Sequence, residues 1–125
     1  MQDILKKLRF KGEGIVINAP VGLAEAFVGL GFSTEFNQAK STNTLVFISN
    51  GDGLLRFLSN ELIHIESDSV FWIAYPKGTS KWKSDINRDS IRMTVEEFGL
   101  STVTAISIDE TWSALRFRPI EQVGK

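Results

Sequence analysis

Residues 69–99 read SVFWIAYPKGTSKWKSDINRDSIRMTVEEFG, and the fold is decided by how this stretch is divided. Val70 to Tyr75 is a continuous apolar run of strand type. It is followed by a basic loop (Lys77, Lys81, Lys83) and then by a helix whose first turn is marked by Asp85, Asn87 and Asp89. Ile91, Val95 and Phe98 recur at helical spacing, and Gly99 is placed to end the helix in the left-handed conformation. A strand, a loop and a helix in this order form half of a βαβ unit. In open α/β sheets ligands collect where strands end and helices begin.

Working back toward the N-terminus, the same alternation recurs. Thr44 to Ser49 (TLVFIS) is apolar and β-branched, as a strand covered on both faces should be. The loop Asn50-Gly51-Asp52-Gly53 leads into a helix with Leu54, Leu58, Leu62 and Ile65 in one stripe, with Asp52 as the expected N-cap. Earlier still, Ile15 to Asn18 is a short apolar strand closed by Pro20, and Leu23, Phe27 and Leu30 mark a helix stopped by Gly29 and Gly31. Phe32 to Asn37 alternates well enough to be a further short strand. Residues 2–9 form an amphipathic turn or two with Ile4, Leu5 and Leu8 on one side.

Toward the C-terminus, Thr102 to Ile108 and Ser113 to Arg118 are strands separated only by Asp109-Glu110-Thr111-Trp112. Four residues cannot hold the crossover that a parallel pair requires, so these two strands pair antiparallel. The sequence therefore predicts one α/β domain over residues 1–125: a three-layer sandwich around a mostly parallel sheet that ends in an antiparallel hairpin.

Composition narrows the chemistry. With 125 residues, 42% of them hydrophobic and 23% charged, the chain is long enough to bury a core without cross-links. It has no cysteine, which excludes disulfides, thiolate metal sites and Cys nucleophiles. The formal charge of −1 gives no global attraction to nucleic acid or to an anionic membrane. No apolar run reaches membrane-spanning length, and MQDILKKLRFKGEG does not resemble an export signal, so a cytoplasmic location is expected.

At FWIAYPK, DINRDS, EEFGL and DETWSALRF the chain resembles a family of short bacterial proteins known as a domain of unknown function with a Rossmann-like fold. That resemblance implies no activity. More distantly, the strand–helix order closed by a hairpin is similar to the C-terminal half of S-adenosylmethionine-dependent methyltransferases. A cofactor site of that kind needs a glycine-rich turn after the first strand and an acidic residue at the end of the second. Here the turn is Asn18-Ala19-Pro20-Val21-Gly22, without GxGxxG, and Glu35 stands alone. No classical S-adenosylmethionine or dinucleotide cofactor is therefore expected.

The candidate binding residues are Lys77, Lys81, Trp82, Lys83, Asp85, Asp109 and Trp112. Lysines beside a helix N-terminus join positive charge to unpaired amide protons, a combination that attracts phosphate or carboxylate. The plainer reading is a solvated loop with Asp85 and Asp89 capping the helix. Trp82 between two lysines has the composition of a stacking site; its plainer role is a lid on the sheet edge. Asp109 and Glu110 are adjacent carboxylates, but neighbours on an extended chain point apart, so a hairpin turn with Asp109 paired to Lys81 or Lys83 and Trp112 packed on the sheet accounts for them. Arg116 and Arg118 share one strand face, where they recognise an anion or guard an edge strand. His64 is the one histidine, too few for a multi-histidine metal site, and no nucleophile is nominated for it. Neither a metal nor a catalytic set is predicted. The expectation is a non-catalytic domain that binds a small anionic ligand or a protein partner at the sheet edge. The alternative is a reduced methyltransferase-like enzyme using the same edge, and single-stranded nucleic acid ranks last.

Overall fold

The computed structural model describes residues 2–12, 14–37, 39–78 and 84–123. Its elements run α1 (Gln2–Leu8), β1 (Ile15–Ile17), α2 (Val21–Gly29), β2 (Ser41–Phe47), α3 (Gly51–Glu61), β3 (Ile65–Pro76), α4 (Arg88–Glu96), β4 (Leu100–Ser107) and β5 (Trp112–Pro119). Short 3₁₀ turns follow α3 and β5. Among the described residues no helix is long and apolar enough to cross a membrane.

The strands form one sheet in the order β1-β2-β3-β5-β4. β1, β2 and β3 pair in parallel, while β5 is antiparallel to both β3 and β4. The antiparallel hairpin expected from the four-residue spacing is present, but it is not simply appended to the sheet. Its second strand is inserted between β3 and β4. Four strands share a direction and β5 opposes them, so only two of the four neighbouring pairs are parallel and the sheet is mixed. The insertion also moves Arg116 and Arg118 off the edge. β5 is internal, and the edge strand is β4, which has no charged residue.

The strand expected over 32–37 reduces to one parallel bridge between Ile15 and Ser33. Gly31, at φ 95°, turns the chain out of α2, and only Ser33 exchanges backbone hydrogen bonds with Gly14 and Val16.

β3 explains its unbroken apolar run. Phe71 and Ile73 join one buried cluster with Val46, Leu115 and Phe117, against Leu54, Phe57 and Leu58 of α3 and Ile91 and Val95 of α4. Val70, Trp72 and Ala74 point to the opposite face, where Leu45, Phe47 and Ala114 meet Leu8 of α1 and Phe27 of α2. Successive side chains of a strand alternate between faces, so a strand covered on both must be apolar throughout. Each fully buried Leu, Ile or Phe contributes roughly 1.5–3 kcal/mol through the area it removes from water.

Side chains fix where the helices begin. Asn50 caps α3, its side chain accepting from the Gly53 amide at 2.7 Å; Asp52, the residue expected in that role, lies in the first turn. Asn87 and Ser90 form a reciprocal capping box at α4. Pro20 immediately precedes α2 as its N-cap residue, where its missing amide proton leaves no donor to be satisfied. Gly99, at φ 80°, follows α4 as its spacing predicts.

Candidate functional site

The register brings one end of β2, β3, β4 and β5 to a common rim. β2 leaves the sheet at Phe47 beside Ala74, β3 ends at Pro76 opposite Trp112, and β4 ends at Ser107 opposite Ser113. The predicted residues that are described all lie along this rim, each with a partner from within the chain. The Lys77 amide donates to the Thr111 carbonyl at 2.7 Å and its Nζ to Ser107 Oγ at 2.6 Å. Asp85 Oδ1 accepts from the Gly51 amide at 2.7 Å, which satisfies an orphan donor at the start of α3. Ser84 Oγ donates to the Ser49 carbonyl at 2.6 Å.

Asp109 Oδ1 accepts from the amides of Thr111 and Trp112, both at 2.8 Å, and so organises its own turn. Trp112 is buried and meets Phe47 edge to face with ring centres 5.1 Å apart. Lys81, Trp82 and Lys83 lie outside the described residues, with the stacking and lid readings that involve them.

A cleft opens farther along the same rim, at the end of β1. It has a volume of about 390 Å³ and lies between the turn after β1 and the first three turns of α3. Ile17, Phe36 and Phe57 form its apolar wall, and Asn18, Glu35, Arg56, Asn60 and Glu61 supply polar groups. Asn18 sits at φ 60°, a left-handed conformation that Asn tolerates better than most residues and that here turns the chain sharply away from β1. The isolated parallel bridge of Ile15 with Ser33 holds the following segment beside β1, and Glu35 and Phe36 of that segment line the cleft together with Ile17. The rings of Phe36 and Phe57 are 6.4 Å apart, and His64 stacks on the outer side of Phe36 at 5.1 Å with its Nε2 3.5 Å from a Glu61 carboxylate oxygen.

Arg56, Asn60 and Glu61 were not legible as site residues, because each reads as an ordinary polar position on an amphipathic helix. Glu35 was visible at the end of a candidate strand, but nothing in the sequence gave it company. The one available signal was Asn18-Ala19-Pro20 directly after a buried strand.

Neither the protein-family models nor the curated proteins contain a match to the chain. Among solved structures it is similar to a SAM-dependent methyltransferase from Aquifex aeolicus, with a TM-score of 0.59 and 12% sequence identity over 93% of this chain and 87% of that one. At that identity the similarity is one of fold: an α/β chain with a five-stranded mixed sheet and a distant methyltransferase-like architecture.

Proposed function

We propose that this chain is a non-catalytic, Rossmann-like domain of three layers that binds a small ligand on the rim where its parallel strands end, and that the ligand is a nucleoside of adenosyl type. The observation that supports this reading is the cleft over Ile17 and Asn18, with Glu35 at its mouth and an aromatic wall behind it. A carboxylate one short strand away from the first strand is placed to accept hydrogen bonds from ribose hydroxyls. Phe36 and Phe57 offer apolar faces to a base. Pro20 stands where a backbone-bound diphosphate would need glycine, so side chains and not a glycine-rich turn would hold the ligand.

A reduced methyltransferase-like enzyme is the second reading, favoured by the solved structure of similar fold. The rim from Lys77 to Asp85, with Asp109 and Trp112, then remains the place where a small anion or a protein partner would extend the site. Lys81, Trp82 and Lys83 belong to the same proposal.

Titration with adenosine, S-adenosylmethionine, S-adenosylhomocysteine and inorganic phosphate, followed by melting temperature and calorimetry, tests the proposal. Stabilisation by the adenosyl compounds that falls at least about tenfold in affinity in Glu35→Ala supports it. The absence of any response to all three adenosyl compounds overturns it. Consumption of S-adenosylmethionine with transfer of its methyl group would select the enzyme reading over the binding domain.

A further inference from the structure

On the opposite side of the molecule from the nucleoside cleft, Arg116 is left with an unmet need. Its Nε is buried and has no hydrogen-bond acceptor among the described residues. The register sets Arg116 between Trp72 of β3 and Thr104 of β4, on the face of the sheet that α1 covers. Trp72 Nε1 donates to the Leu8 carbonyl at 2.9 Å, and this bond lays the end of α1 over the same strip. Arg9 follows immediately, exposed and turned by a φ of 56°.

The carboxylate that could answer Arg116 is already engaged. Asp68 binds Arg118 in a two-point contact, Nε to Oδ1 at 2.8 Å and Nη2 to Oδ2 at 3.0 Å. Lys11 and Arg116 also lie within its electrostatic reach, while Arg116 is repelled by both Arg118 and Arg9. Three cations thus share one carboxylate, and a fourth, Arg9, adds to the repulsion at Arg116. A guanidinium with a dry, unused N–H is costly when its neighbours are like charges, and the cost is removed by a bound oxyanion. Arginine suits that task because its planar fork matches phosphate oxygens.

We infer that Arg116 and Arg9, flanked by Lys11 and Arg118, form a binding site for a phosphate-type oxyanion at the end of α1. The site accepts a phosphate group through the Arg116 Nε–H and an Arg9 guanidinium donor, and Asp68 keeps Arg118 from collapsing onto it. It is independent of the nucleoside cleft.

Low-millimolar inorganic phosphate, compared with sodium chloride at matched ionic strength, supplies the test, read by melting temperature and titration calorimetry. The wild-type chain is expected to melt several degrees higher in phosphate. Arg116→Met removes the buried donor and is expected to melt above wild type in chloride yet to gain nothing from phosphate. Arg9→Asn tolerates the left-handed backbone, keeps the wild-type melting point in chloride, and loses most of the phosphate response. Glu35→Ala retains the full response. An equal effect of phosphate and chloride on the wild-type chain overturns the inference, as does a full phosphate response in Arg9→Asn and Arg116→Met.

Discussion

The indole N–H of Trp72 donates to the Leu8 carbonyl at 2.9 Å across 64 positions of sequence, and both residues are fully buried. This contact ties the last turn of α1 to the middle strand of the sheet. In Trp72→Phe the Leu8 carbonyl loses its partner and the smaller ring leaves a void. The expected loss is about 2–3 kcal/mol, measured as a lower denaturation midpoint with an unchanged slope.

Two side chains from distant parts of the chain serve the start of α3. Asn50 accepts from Gly53, and Asp85 accepts from Gly51. Asn50→Ala and Asp85→Ala should each cost about 1 kcal/mol. Because they act on amides two residues apart in the first turn of one helix, the double variant should depart measurably from additivity in a denaturation cycle.

Gly14 and Gly22 should respond to alanine with opposite signs. A Cβ on Gly14 would lie 2.9 Å from the Asn43 carbonyl oxygen and 2.9 Å from Phe10 Cε2, whereas one on Gly22, inside α2, meets nothing within 4 Å. Gly14→Ala is expected to destabilise by about 1–3 kcal/mol through overpacking. Gly22→Ala should stabilise by about 0.5 kcal/mol through helix propensity and a less flexible unfolded chain. Thermal melts of the two variants beside wild type decide both.

The Arg118 guanidinium holds the Asp68 carboxyl below its ordinary value of 3.8, chiefly through their hydrogen bond. A depressed folded-state value means that the contribution to stability is complete above the unfolded value and is lost as pH falls through the folded one. Asp68→Asn should therefore lower stability at neutral pH and flatten the acid limb of the stability curve below about pH 4. Identical acid limbs in the two proteins would refute this.

Tyr75 gives the alkaline counterpart, since burial pushes its hydroxyl above the ordinary value of 10.0. Its contribution is complete below that value and is lost as pH rises past it. Tyr75→Phe should show a shallower fall in stability above pH 10.0 than wild type, measured by denaturation across that range.

What the sequence disclosed depended on range. The αL role of Gly99 and the antiparallel pairing of the last two strands are local rules, and the chain obeys them. Asp85 and Asp89 read as the caps of α4, but Asn87 and Ser90 form its capping box and Asp85 serves the start of α3 instead. The insertion of β5 between β3 and β4 depends on which strands meet in space, and no local spacing encodes that. The same limit hid the roles of the rim residues. Asp109 had the look of an acid that reaches across to lysine, yet its nearest donors are the amides two and three residues ahead. Asp52 has the right composition for an N-cap, but Asn50 has the extended backbone that the position requires.

The placement of β5 has a consequence for how the sheet closes. β5 comes later in the chain than both of its neighbours, so β3 and β4 keep open flanks toward each other until it enters between them. Closure therefore waits on contacts distant in sequence, and a chain cut before Trp112 loses the only strand that joins β4 to the parallel half among the described residues.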